Sequence, residues 1–110
     1  MPTPHRPSIA VRRTLRKLGQ DLRDARRRRD LPAAVVADRA FTSRPTLQRV
    51  EQGDSAVSIG IYAAVLQALG LLEGLNEIAA ASRDPTGLAM AAEKLPKRAR
   101  LRRAQESSDA

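Results

Sequence analysis

The chain has 110 residues, with 20 Lys and Arg against 12 Asp and Glu, a net charge of +8 and a sequence pI near 11.4. This length supports one modest core with little room for a deep substrate cavity, and the charge favours a polyanionic partner, nucleic acid ahead of an anionic membrane surface. The absence of cysteine excludes disulfides, thiolate metal sites and thiol nucleophiles and suits a reducing cytoplasm; with Phe41 and Tyr62 the only aromatics, stacking on single strands is disfavoured and duplex recognition favoured.

Residues 1–8 hold three prolines and lack the apolar stretch of a signal peptide, so a flexible arm is expected. Its His5 is the sole histidine and reads as an ordinary exposed residue. From Ile9 to Arg29, the positions Leu15, Leu18, Leu22 and Ala25 draw one stripe along a helix whose other faces are crowded with Arg and Lys. The run Arg26–Arg29 lies at the helix C-terminal end, where cations suit the macrodipole. Leu31 and Pro32 open a second helix over AAVVADRA, with Val36, Ala37 and Ala40 inward and Pro32 in the first turn.

After a very short connection at Phe41 and Thr42, Ser43 is placed to cap a third helix that begins Arg44–Pro45–Thr46. Pro45 costs little there, because first-turn N–H groups have no intrahelical partner. Leu47 and Val50 point inward, leaving Arg44, Thr46, Gln48 and Arg49 on other faces. Gln52, Gly53 and Asp54 make a turn with Gly53 as its left-handed terminator. Ser58 caps a fourth helix, IGIYAAVLQAL, that buries Ile61, Val65, Leu66 and Leu69 and stops at Gly70. A fifth helix is expected from Leu72 to Ala81, burying Leu72, Leu75 and Ile78. Asp84 and Pro85 open a sixth, with Leu88, Ala91, Ala92 and Leu95, that Pro96 ends. Strand alternation and internal repeats are absent, and no apolar run reaches the roughly 20 residues of a membrane span. The implied fold class is all-α.

Two short helices in tight succession within such a bundle have the layout of a helix-turn-helix, whose second helix fits the major groove of B-DNA. On that geometry Arg44, Pro45, Thr46, Gln48 and Arg49 are the base-reading candidates. Either arginine can take a guanine edge through two hydrogen bonds, and Pro45 can offer only apolar contact, as to a thymine methyl. The Ser43 hydroxyl at the positive helix N-terminus suits a phosphate, as do Arg28, Arg98 and Arg100.

The segment Leu18–Leu71 resembles the helix-turn-helix domain of the Xre/Cro/cI-type bacterial repressors. The resemblance is carried by S-R-x-T-[L/I]-x-R-[V/I]-E-x-G at Ser43–Gly53 and S-[I/L]…L-x-A-L-G at Ser58–Gly70. It implies a five- to six-helix bundle of the lambda-repressor-like type, a recognition helix over Ser43–Arg49, and a structural pair of Arg26 with Glu51. Three departures stand out. Pro32 and Ala33 replace the Thr-Gln that usually touches DNA, so that contact is missing. Phe41 takes the place of a connection glycine, which alters the angle between the two helices or plugs the core. Val35 occupies a position usually polar and is expected at a contact surface. The block Leu71–Arg103, with DPTGLAMA…LPKR, is similar to the C-terminal part of HipB-like antitoxins. That implies an autoregulating homodimer which also binds a HipA-like kinase toxin. The expected domains are a flexible arm at 1–8, a DNA-binding domain at 9–81, a short helix at 82–96 for dimer or toxin contact, and a disordered basic tail at 97–110.

Other classes fit less well. No two carboxylates fall in a pocket pattern, and no glycine-rich phosphate loop or metal-ligand spacing is present, so no catalytic residue, metal or cofactor is assigned. A membrane-surface binder needs an amphipathic basic helix, which the first helix is, but its stripe lacks bulky aromatics and serves the core. A pure protein-binding module leaves the net charge of +8 without a purpose. The favoured reading is a cytoplasmic, nucleoid-associated repressor that binds palindromic double-stranded DNA half-sites without a membrane role. A stand-alone or phage-type repressor and an antitoxin module with weak DNA binding are the alternatives.

Overall fold

The computed structural model describes residues 6–94. Most of the proline-rich arm, His5 included, and the basic tail with Arg98 and Arg100 lie outside the described residues. Those described form six α-helices and one 3-10 turn, with no strand among them. They divide into two units, one ending at Leu75 and the other beginning at Asn76. None of these helices is long and apolar enough to cross a membrane.

The first unit is built on α1 (Ile9–Arg28), α2 (Ala33–Arg39), α3 (Arg44–Glu51) and α4 (Ile59–Ala68). Three of them start at a serine whose hydroxyl accepts an N–H three residues on: Ser8 from Val11, Ser43 from Thr46 and Ser58 from Ile61. Each satisfies one donor that the first turn would otherwise orphan. The exception is α2. Pro32 is its extended N-cap, with ψ 149°, and not a member of its first turn, so the helix starts one residue later than the sequence suggests.

The core is apolar throughout. Leu22 and Ala25 of α1 meet Val36, Ala37 and Ala40 of α2 or its end, Leu47 and Val50 of α3, Val57, and Tyr62, Val65 and Leu69 of α4. Leu15 and Leu18 are half-buried at its edge. Helix α4 is rotated from expectation: Tyr62 is buried, and Ile61 and Leu66 pack only half-buried against the cluster. The Tyr62 hydroxyl explains this, because it donates to the Asp54 main-chain oxygen at 2.7 Å and so lets the ring enter the core with its polar end satisfied.

Two glycines set how closely α1 approaches the end of α3. A Cβ on Gly19 would lie 2.6 Å from the Val50 carbonyl oxygen and 2.7 Å from that of Glu51. Gly53, at φ +73°, would put a Cβ 2.4 Å from the Leu15 carbonyl oxygen. Gly53 is thus both a left-handed terminator and half of an interlock with α1.

Phe41 corrects another expectation. It does not plug the core: it is 95 % exposed and sits at φ +54°, taking up the left-handed geometry a glycine would adopt. The tight α2–α3 connection demands that backbone conformation, and the side chain is simply carried outward.

The expected fifth helix shrinks to α5 (Glu73–Asn76), followed by a 3-10 turn at Ala81–Arg83. Leu72 and Leu75 are half-buried, but Ile78 is 69 % exposed, so no apolar face sustains further turns. In the second unit, α6 (Pro85–Lys94) is capped by Asp84, whose Oδ1 accepts the Gly87 N–H at 3.0 Å. No described residue of α6 is buried, and Leu88 and Met90 are both at least half exposed.

Candidate nucleic-acid interface

The short helix α3 is held from its inner side and open on its outer side. Leu47 and Val50, three residues apart, are buried against the core. Its front end is closed by a reciprocal cap: the Thr46 N–H donates to Ser43 Oγ, and that hydroxyl donates to Thr46 Oγ1. Pro45 contributes no donor, and the Leu47 N–H bonds the Ser43 carbonyl oxygen. The Ser43 hydroxyl expected to attract a phosphate is thus engaged in the cap, and of the first-turn N–H groups only that of Arg44 is uncommitted among the described residues. Thr46 is half-buried with its hydroxyl in the cap, which sets it apart from the exposed Arg44, Pro45, Gln48 and Arg49.

The rear of α3 is fixed to α1 by Arg26 and Glu51. Arg26 Nε and Nη2 donate to the two Glu51 carboxylate oxygens, each at 2.9 Å, and Nη1 donates to the Leu31 carbonyl oxygen at 3.2 Å. Their side chains are only 15 % and 10 % exposed. A two-bond guanidinium–carboxylate pair defines orientation as well as distance, so this contact sets the angle of α3 on α1 while the third bond ties in the start of α2.

An open cleft of about 330 Å³ lies between α1, the front of α2 and α3. Arg23, Arg44, Pro45, Gln48 and Gln52 form its rim and outer wall, with the Arg26–Glu51 pair also lining it. Ala33 lines the same cleft. Arg28 is exposed but is not part of this lining, which α1 supplies through Arg23 and Arg26.

Two residues of this surface were missed in the sequence. Arg23 follows inward Leu22 and precedes Arg26 by three, so helical spacing already puts it on the α3 side. Gln52 reads as a turn residue, yet it is the C-cap of α3, four residues after Gln48 and on the same face. Arg49 differs from Arg44 in being committed: its Nε donates to Asp54 Oδ2 at 2.8 Å. That bond, helped by the Ala56 N–H, holds the Asp54 carboxyl below the usual carboxylate range.

A short helix anchored by its inner face, locked at its rear and presenting cationic and amide side chains outward defines a helix-turn-helix unit, the class that offers one helix to the major groove. A family model described as a helix-turn-helix domain matches residues 17–79, more than half of the chain, and the chain belongs to that family. The match supports the resemblance to Xre-like regulators and, with it, DNA binding. No curated protein and no solved structure matches the chain.

Proposed function

We propose that this protein is a sequence-specific, double-stranded DNA-binding repressor that acts as a homodimer in the cytoplasm, associated with the nucleoid. The observation that carries the proposal is the outer face of α3, where Arg44, Pro45, Gln48 and Arg49 are exposed on a helix whose position is set by the Arg26–Glu51 pair. Arg44 and Arg49 read guanine edges, Gln48 supplies amide donors and acceptors, and Pro45 meets an apolar base edge. Thr46 and Ser43 shape the helix entry, with Ser43 and Arg28 near the backbone. A two-fold dimer places two such helices about 34–36 Å apart, or a multiple of that, on a palindromic site.

The finer reading is an antitoxin that represses its own operon and binds a HipA-like kinase toxin. It is supported by the DPTGLAMA motif and by α6, which exposes Leu88 and Met90 in a unit distinct from the DNA-binding one. Arg98 and Arg100 then add sequence-independent phosphate contacts.

The test is affinity for a promoter duplex and for a scrambled duplex across a salt series. Arg44→Ala is expected to cost about 1–3 kcal/mol and to relax base preference at one position per half-site. Equal weakening on every sequence would remove Arg44 from base reading, and equal wild-type affinity for both duplexes would remove sequence-specific repression. A HipA-like kinase encoded beside this gene that co-purifies with the full chain supports the antitoxin reading, and failure of such a kinase to bind refutes it.

A further inference from the structure

We infer that Asp54 is a positioning residue that presets Arg49 for one guanine, so that this position of the DNA site is read more strictly than the one met by Arg44. The inference rests on the DNA-reading role of α3 and concerns how that role is divided between its two exposed arginines.

Asp54 and Arg49 are joined twice. The Asp54 N–H donates to the Arg49 carbonyl oxygen at 3.0 Å, and Arg49 Nε donates back to Asp54 Oδ2 at 2.8 Å. The carboxylate is itself held, since Oδ1 accepts the Ala56 N–H at 2.8 Å. Its backbone is tied to the core, where the buried Tyr62 donates its hydroxyl to the Asp54 carbonyl oxygen. The guanidinium on the outer face of α3 is therefore linked through Asp54 to the core, by one hydrogen bond at the carboxylate and another at the Asp54 carbonyl oxygen.

Which edge of the guanidinium is used decides what remains. A guanidinium has five N–H donors in a rigid planar fork. The Asp54 contact takes Nε, and no acceptor among the described residues takes Nη1 or Nη2 of Arg49. The two terminal nitrogens form a pair of parallel donors, the geometry that matches O6 and N7 of guanine and no other base edge. A flexible arginine loses rotamer freedom when it binds, whereas here Asp54 has removed that freedom beforehand. Arg44 has no such partner among the described residues and can follow the DNA backbone or a base alike.

A negative charge beside the reading arginine also weakens its attraction to phosphate, which is the same at every site. Asp54 thereby lowers non-specific affinity while it sharpens the specific contact.

The test uses the full chain and the duplex it selects from a randomised library. Each guanine of the selected half-site is replaced in turn by 7-deazaguanine, which lacks the N7 acceptor. The wild type is expected to lose about tenfold or more at the guanine met by Arg49. Arg49→Ala should abolish that penalty and Asp54→Asn should reduce it severalfold, and the double variant should bind no worse than Arg49→Ala alone. Asn keeps one oxygen for the Ala56 N–H but cannot serve Ala56 and Arg49 with separate oxygens, and Asp54→Ser, with a short acceptor but no carboxylate, gives a second check. Circular dichroism establishes that each is folded, and binding of either Asp54 variant to scrambled duplex should be unchanged or tighter.

Retention of the full 7-deazaguanine penalty in the folded Asp54 variants would overturn the inference while leaving base reading by α3 intact. Equal weakening of selected and scrambled duplexes by Arg49→Ala would assign Arg49 to phosphate and overturn it as well. If the wild type selects no sequence, sequence-specific reading itself fails, and this inference with it.

Discussion

Replacing Gly19 by alanine isolates the contact that seats α3 against α1. The new Cβ would lie 2.6 Å from the Val50 oxygen and 2.7 Å from both the Glu51 oxygen and the Gly53 nitrogen, where ordinary contact begins at 3.4 Å. All three are backbone atoms, so no side chain can rotate aside and α1 must part from the end of α3. Overpacking of this kind costs typically ~1–3 kcal/mol, and the rigid neighbours put this site near ~3. Alanine returns about 1 kcal/mol through its higher helix propensity. The net loss is then about 2 kcal/mol, or a fall in Tm of roughly 10 °C for a domain of this size. Gly60, in the first turn of α4, is the internal control: its added Cβ would meet only Ser58 Oγ, at 3.7 Å. Gly60→Ala should therefore stabilise by about 0.5–1 kcal/mol. Urea and thermal unfolding followed by circular dichroism measure both. Gly19→Ala as stable as the wild type, or shifted like Gly60→Ala, would refute the close α1–α3 approach and the placement of α3 derived from it.

Three further outcomes are expected. Glu51→Ala leaves Arg26 with only the Leu31 carbonyl as partner, and loss of one member of so enclosed a pair should cost about 3 kcal/mol in urea unfolding. Phe41→Gly should stabilise by about 1 kcal/mol, since it relieves the positive φ and sacrifices no packing in a side chain that is 95 % exposed. Tyr62 is the single tyrosine, so tyrosinate absorbance reads it alone. Burial, and then the nearby Asp54 charge, push its phenol up. Because the folded value is raised, this contribution to stability is complete below the ordinary tyrosine range and is lost as pH rises through the folded value. A midpoint at or below that of free tyrosine would contradict the buried hydroxyl.

The α-helical class, the starts of α3 and α4, and the inward residues of the first three helices were legible from the chain because each depends on local chemistry. A serine hydroxyl reaches an N–H three residues away, an apolar side chain recurs every three or four residues, and Pro45 loses nothing in a first turn. The helix-turn-helix motif was legible for the same reason, since Ser43 to Gly53 carries its cap, its inward pair and its terminator in one segment. Tertiary structure decided what depends on partners distant in sequence. Tyr62 is buried and Ile61 only half-buried at the core's edge because Asp54, eight residues before Tyr62, offers the tyrosine hydroxyl an acceptor. Phe41 turned outward because the α2–α3 crossing imposed a left-handed residue, and the fifth helix ended early because Ile78 found no covered face. The outer face of α3 was divided likewise: Arg23 and Gln52 joined Arg44 and Gln48 around one cleft, while Asp54 claimed Arg49. Helical spacing shows which side of a helix a residue occupies, but only packing brings α1 beside α3 and determines which exposed arginine of α3 meets a carboxylate and which does not.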